Sequence, residues 1–490
     1  MPSAITVAGL FFARVHPVPK RVAATLYNGG QNHMKLIYGI KDRPKFGQII
    51  VFAIQQLLAI MAATLVVPVI INTSDNIPPD LLPQMSSAAA LLGAGIGTLV
   101  YQLFTRFKSP VFLGSSFAFI GPMCAAFAGA ASVQAGYLGL IIGAAMAGLV
   151  YMLIALIVKL AGVKWIAKLM PAVVIGPTVA IIGLSLAGNA IGDLQTAPAG
   201  GSVYVAIICG LVTLAVTMLC ATFGKKMIRL IPFIIGILAG YAVAAIFTVI
   251  GTVADLPSLL VINFDPIKNL FAPFTFESII SVPDLTFMQA IKGVTEINAE
   301  YIFTLFVAYV PVAAVVFAEH LADHKNLSTI IEHDLLKEPG LHNTLLGDGV
   351  GSMAGAIFGG CPNTTYGESV GCVAITGNAS VVTITTTAIL AIAISFLSPF
   401  VAFVNTIPSC VMGGVCMALY GFIAVSGLKM IQKVDLEQNR NLFVVSVILI
   451  TGIGGLTVSF GKVTLTTIAC ALILGILTNV MLGRKEKKDK

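Results

Sequence analysis

The sequence predicts an all-α integral membrane protein whose 14 transmembrane segments form two inverted seven-span repeats. Three observations carry that prediction. Of 490 residues, 57% are apolar and only 10% charged, and the mean hydropathy is +0.97; an ordinary soluble domain is about 25% charged. Apolar stretches near the roughly 20 residues that a bilayer requires recur from about residue 48 to 482. Short motifs from the first half of the chain return in the second half in the same order. So few ionisable side chains cannot coat a water-facing surface, which excludes a soluble enzyme, a disordered chain, a coiled coil and a nucleic-acid binder.

The predicted spans run over 48–71, 87–105, 111–130, 137–158, 169–189, 202–223, 230–250, 301–320, 344–360, 361–377, 380–404, 407–428, 441–457 and 464–482. The third and tenth read poorly as helices, because Pro110, Gly114, Ser115 and Ser116 open one and Pro362, Asn363, Thr364 and Thr365 open the other. Orientation follows from the positive charges, which collect on the cytoplasmic side of short loops. With both termini inside, all 28 Lys and Arg except Lys268, Lys292 and Lys462 fall on the inner face. An odd span count would put the basic tail, Arg484 to Lys490, on the wrong side. The connection 251–300, with Pro257, Pro266, Pro273 and Pro283, reads as an outer loop with a surface helix. No structure is expected for the first 33 residues, and Met34 is a candidate start. The eight cysteines lie in or beside apolar spans and read as small packing residues, not a disulfide framework.

Met170-Pro171-Ala172-Val173-Val174-Ile175-Gly176 returns as Ile407-Pro408-Ser409-Cys410-Val411-Met412-Gly413, and Ser115-Ser116-Phe117-Ala118 returns as Thr364-Thr365-Tyr366-Gly367. Two copies of a seven-span unit must enter the membrane from opposite sides, since seven is odd. That is the inverted-repeat plan of secondary transporters, and it places the paired weak spans where broken helices meet near the midplane. Irregular backbone at that depth lines a cavity or is buried in protein. Leu113 to Ser116 and Asn363 to Tyr366 would therefore offer N–H groups and hydroxyls to a central site, with half-helix N-termini behind them.

An acid inside a span is a functional hypothesis by default. Glu319, at the end of the eighth span, and Glu368, within the tenth, can accept N–H donors from a flat heterocycle, with Phe117 and Tyr366 at matched repeat positions to flank its faces. The rival readings are an inter-helix hydrogen bond for each acid and a lipid-facing or core-packing position for each ring. His320 and His324 stand four apart with Asp323 between them, which raises a metal site. The order Glu-His-x-x-Asp-His differs from that of metalloproteases, however, and no third ligand is evident. A proton relay is the preferred reading, and Asp348 joins the same polar cluster or faces inner water. Gly93-Ala94-Gly95-Ile96-Gly97 follows no strand and is a helix-contact stripe, not a dinucleotide loop. Around Gly461-Lys462, Leu456 and Val463 replace residues a P-loop needs. Ion-gradient-driven transport is what remains.

Ala318-Glu319-His320 with His324, and Asn363-Thr364-Thr365-Tyr366-Gly367-Glu368-Ser369-Val370-Gly371 through Gly377, resemble signature stretches of the nucleobase-ascorbate transporter family, specifically its uracil permease branch. Leu113 to Phe119 and Ala62 to Pro68 resemble that family's third and first spans, and the likeness covers roughly residues 38–480. It departs at two places: the first-span pattern usually reads Gln-His where this chain has Gln55-Gln56, and position 369 is Ser where Asn is usual.

The resemblance implies short strands in spans 3 and 10 with half-helices behind them, and two domains. The core would comprise 47–160 (spans 1–4) and 301–405 (spans 8–11). The gate would comprise 161–250 (spans 5–7) and 406–483 (spans 12–14). Residues 1–46 and 484–490 would be cytoplasmic tails and 251–300 the extracellular loop. By matching positions, Glu319 and Glu368 would bind the base and Phe117 would stack on it. Ala63 and Gly367 would offer backbone, Tyr366 and Ser116 would line the site, and Glu319, His324 and Asp348 would carry proton coupling. No cofactor is implied beyond H+ as coupling ion. The expectation is a non-enzymatic, multi-pass symporter of the cell membrane that imports uracil with protons, often as a homodimer. The alternatives are xanthine or another purine base as substrate, an uncoupled facilitator or anion carrier of the same architecture, and a metalloenzyme with zinc at His320 and His324.

Overall fold

Lipid offers no partner to an open backbone, so a chain this apolar satisfies its N–H and C=O groups inside helices. The computed structural model describes residues 36–162, 171–225, 227–460 and 463–483, and there the chain is mostly helical. The N-terminal stretch, Lys164, Lys168, Met170, Lys226, Gly461, Lys462 and the basic tail lie outside the described residues. In order, the first half contains α1 (Phe46–Asn72), α2 (Ser87–Phe104), β1 (Leu113–Ser115), α3 (Ile120–Ala128), α4 (Val133–Ala161), α5 (Ala172–Ser185), α6 (Ala187–Gln195), α7 (Val203–Phe223) and α8 (Pro232–Val253). The second half contains α9 (Ala299–Ile330), α10 (Leu341–Gly359), β2 (Asn363–Thr365), α11 (Gly367–Thr376), α12 (Val381–Ser395), α13 (Ser398–Asn405), α14 (Ser409–Ile431) and α15 (Asn439–Ile453). The hairpin β3 (Val458–Phe460) and β4 (Val463–Leu465) precedes α16 (Thr467–Gly483). Each predicted span overlaps a helix or a strand with its helix. Among the described residues, eight helices, counting α5 with α6 as one, are long and apolar enough to cross a membrane.

The two segments that read poorly as helices do leave the helix. β1 pairs antiparallel with β2, Leu113 opposite Thr365 and Ser115 opposite Asn363. A two-stranded ribbon buried this deeply needs partners on its outer edges, and side chains supply them. Thr98 Oγ1 of α2 accepts from Leu113 N at 2.9 Å and donates to Leu113 O at 3.2 Å. Asn363 Nδ2 donates to Gly93 O at 2.9 Å.

Other details differ from the sequence reading. The eighth span does not stop near residue 320; α9 runs 32 residues, from Ala299 to Ile330, through Pro311. The eleventh span breaks after Ser395: Leu397 is extended, and Pro399, which has no N–H to give to a continuous helix, lies in the first turn of α13, where none is needed. The fifth span is likewise two helices, α5 and α6. The β3–β4 hairpin was not anticipated. The connection 254–298 contains several short turns of helix and docks on the α12–α13 break, with Ser281 N donating to Phe396 O at 3.0 Å.

α10 packs along α2 and α4, and α12 along α1 and α2; separately, α14 packs along α5 and α7, and α15 along α16 and α5. Small residues permit the first of these approaches, as is usual where apolar packing alone must hold helices together. A Cβ on Gly97 would stand 2.7 Å from Gly351 O and collide with Asn363 Nδ2. Gly97→Val is expected to cost about 1–3 kcal/mol through overpacking, seen as a lower melting temperature of the detergent-solubilised protein; an unchanged melt would contradict this packing. Between the α2–β1 loop and the segment before α10, Lys108 Nζ contacts Glu338 Oε1 at 2.8 Å. The hydrogen bond and charge of Lys108 hold the Glu338 carboxyl below its usual range. This exposed link is therefore intact at neutral pH and weakens as the medium is acidified through that lowered value. Glu338→Gln is expected to leave the melting temperature of the detergent-solubilised protein unchanged within experimental error at neutral pH.

Candidate functional site

Behind β2 the chain turns straight into α11: Tyr366 is the extended N-cap, Gly367 the first helical residue, and Glu368 lies in the first turn. A carboxylate there sits at the positive end of the helix dipole. α9 crosses the same level, and its continuity past residue 320 has a direct consequence. Glu319 and Asp323 are four residues apart and share one helical face. Both carboxylates, with Gly367 and Glu368, line a cavity of about 440 Å³. The wall also includes Ala59 of α1, while Phe233 of α8 and Phe422 of α14 face it from the second packing group. Arg229, just before α8, lines it as well.

Around these acids the partners are few. Thr365 Oγ1 donates to Asp323 Oδ2 at 2.8 Å. Among the described residues Glu319 makes no hydrogen bond or ion pair, so its oxygens remain available to a ligand. Gly367 is exposed to the cavity, and a Cβ there would meet only Asp323 Oδ1, at 3.9 Å. The backbone at the start of α11 can thus be approached closely, with its first N–H groups unspent in the helix.

Of the residues singled out in the sequence, Glu319, Glu368 and Gly367 meet in this cavity. Ala63, Ser116, Phe117 and Tyr366 are not among its lining residues, and each is at most 9% exposed. Tyr366 O–H donates to Ser115 O at 2.7 Å, tying the α11 N-cap to β1. The Phe117 ring meets the edge of Tyr420 of α14, centroids 5.9 Å apart at 77°. Asp323 was named in the sequence only as the residue between two histidines. The available signal was its i+4 spacing from Glu319, masked by ending the helix too early.

His320 and His324 point away from the cavity and are fully buried, their rings stacked at 4.0 Å. Their hydrogen bonds have a readable direction. His324 Nδ1 lies 2.8 Å from His320 O, a pure acceptor, so Nδ1 carries hydrogen. In the neutral ring Nε2 then accepts from Tyr101 O–H at 2.7 Å, and Tyr101 in turn accepts from Ser109 at 2.7 Å. Thr344 O–H donates to Leu341 O, leaving its oxygen to accept from His320 Nε2–H at 3.0 Å. His320 Nδ1 and Asp348 Oδ2, 2.7 Å apart, therefore share the one remaining proton. Asp348 does belong to the histidine cluster, and that cluster forms a packed lining behind the carboxylates.

Comparison with known proteins places this geometry in context. The chain matches the permease family (Xan_ur_permease) over residues 47–460. It is 37% identical over 459 residues to the uracil permease of Bacillus caldolyticus, covering 93% of this chain and 97% of that protein. It is 34% identical over 443 residues to the uracil permease of Escherichia coli K12, covering 89% and 92%. Among solved structures, the transmembrane domain of a cyanobacterial bicarbonate transporter, BicA, superposes with a TM-score of 0.53 at 14% identity, over 90% of this chain and 99% of that one. At that identity the likeness is one of fold.

Proposed function

The chain belongs to this permease family, the nucleobase-ascorbate transporters, and from that premise we propose that it imports uracil across the cell membrane in symport with protons. The observation that carries the reading is the meeting of Glu319, Asp323 and Glu368 at a paired helix break, in a chain whose relatives are named uracil permeases. Uracil is planar and uncharged, with two N–H donors and two carbonyl acceptors. Carboxylates on α9 and α11 accept the donors; the free N–H groups at the start of α11 meet a carbonyl.

The packing of the helices supports a rocking transport cycle. α1–α4 with α9–α13 act as the core domain and α5–α8 with α14–α16 as the gate, the whole spanning 14 times as two inverted repeats. Pro171 and Pro408, at matched repeat positions, both cap helices, and those helices, α5 and α14, lie against each other. Arg229 and Met430 line the cavity near helix ends with basic neighbours, which supports a cytoplasmic opening. The Phe117–Tyr420 edge contact closes the core–gate seam beside it. This is an inward-open state; rocking of core against gate opens that seam outward, frees the Phe117 face to stack on the base and brings Ala63, Ser116 and Tyr366 to the site. Both termini lie in the cytoplasm, and two copies pair in the membrane.

A neutral solute gains nothing from membrane potential, so accumulation needs a co-transported charge. One proton moved through about 100 mV supplies about 2.3 kcal/mol, roughly fifty-fold accumulation. Glu319 and Asp323 are the carriers, with His324 and Asp348 as the buried framework behind them. The test is radiolabelled uracil uptake with and without a proton ionophore, competed by xanthine, thymine and adenine. Uptake abolished by the ionophore and blocked by uracil but not xanthine supports the reading; ionophore-insensitive uptake, or preference for a purine, overturns it.

A further inference from the structure

Ser369 follows Glu368 in α11 and is fully buried, and its hydroxyl is a meeting point of three elements. Gln56 of α1, only 3% exposed, donates from Nε2 to Ser369 Oγ at 2.6 Å. The backbone N–H of Phe112, the residue that leads into β1, donates to the same oxygen at 3.2 Å. On its other side Phe112 O accepts from Tyr366 N at 3.3 Å. One hydroxyl thus joins α1, the start of β1 and the first turn of α11, and both its lone pairs are in use. Neither Gln56 nor Ser369 lines the cavity, yet Ala59, one turn along α1 from Gln56, and Glu368, next to Ser369, both do.

We propose that Gln56 and Ser369 act as one coupled positioning pair that sets the register of β1 against α11 and so aims Glu368 into the cavity. A buried amide reaching a short hydroxyl is complete only if both partners are present: without Ser369 the Gln56 amide is stranded, and without Gln56 the hydroxyl still holds Phe112 but no longer ties it to α1. The inference rests on the reading of this cavity as the uracil site.

Three variants test it: Ser369→Ala, Gln56→Met, which keeps length and volume but removes the N–H donors, and the double variant. Each single change is expected to raise KM for uracil about fivefold with kcat within about twofold, and the double variant to be no worse than the more affected single one, since both remove the same node. Hydrogen exchange at the Phe112 amide of the substrate-free protein is expected to quicken in Ser369→Ala. Ser369→Thr, which keeps the hydroxyl, restores slow exchange and near-normal KM; it also serves if Ser369→Ala fails to fold. Unchanged KM, strictly multiplicative effects in the double variant, or unaltered exchange at Phe112 would overturn the pair. Absence of uracil binding by the unmodified protein would instead defeat the site reading, and the exchange measurement would still decide whether the pair holds β1.

Discussion

Glu368→Gln is expected to weaken uracil binding to the purified protein by about ten- to a hundredfold, the equivalent of one hydrogen bond to a charged group at about 1.5–3 kcal/mol. The substitution preserves shape, so packing of α11 is undisturbed; what changes is chemistry at one oxygen. Uracil brings two N–H donors, and an amide nitrogen in place of a carboxylate oxygen confronts one of them with another donor. The position amplifies the effect. Glu368 lies in the first turn of α11, where the helix dipole favours a negative charge, and it faces the cavity from immediately behind the β1–β2 ribbon. Glu338→Gln, on an exposed carboxylate in a surface ion pair, is the control that ought to bind normally. Equilibrium binding of radiolabelled uracil to both variants is the measurement. An affinity for Glu368→Gln within about threefold of the unmodified protein would move the site away from α11.

Much of this arrangement is legible in the sequence, for reasons of physical range. Membrane insertion is decided over windows of about 20 residues, so composition and hydropathy locate nearly every helix. The two breaks are legible because prolines and hydroxyl residues crowd where an apolar run ought to continue, at Pro110 to Ser116 and at Pro362 to Thr365. Glu319 and Glu368 stand out because an acid in such surroundings has no cheap explanation. Asp323 was hidden by its own neighbours: Asp323, His324, Lys325 and Asn326 look like the polar end of a span, whereas α9 continues through them to Ile330. A helix facing a wet cavity on one side and a buried polar cluster on the other carries charge without ending. The Gln56–Ser369 contact joins residues 313 positions apart, and no local pattern could announce it. The burial of Phe117 against Tyr420 and of Tyr366 against Ser115 likewise joins residues far apart in the chain, beyond the reach of any local pattern.

Glu319→Gln is expected to separate binding from coupling: uracil exchange across a liposome membrane persists, while accumulation driven by an imposed potential of about 100 mV falls from roughly fifty-fold to equality. Three carboxylates share one cavity with, among the described residues, a single lining arginine, Arg229. Like charges that share one cavity repel, and a bound proton relieves that repulsion. A base arriving with N–H donors needs at least one of the acids ionised, whereas a proton carried inward needs another neutral. Glu319, with no partner among the described residues, is free to exchange its proton, and Asp323, held by Thr365, is the second station one turn away. Asp323→Asn keeps an acceptor for the Thr365 hydroxyl and so preserves the local geometry. It is expected to reduce accumulation strongly while changing exchange by less than about threefold. The readout that decides is the ratio of driven accumulation to exchange, measured in the same vesicles. If both variants still accumulate uracil against its gradient, the coupling proton travels elsewhere, and the shared proton of the His320–Asp348 pair, 2.7 Å between its heavy atoms, becomes the group to test next.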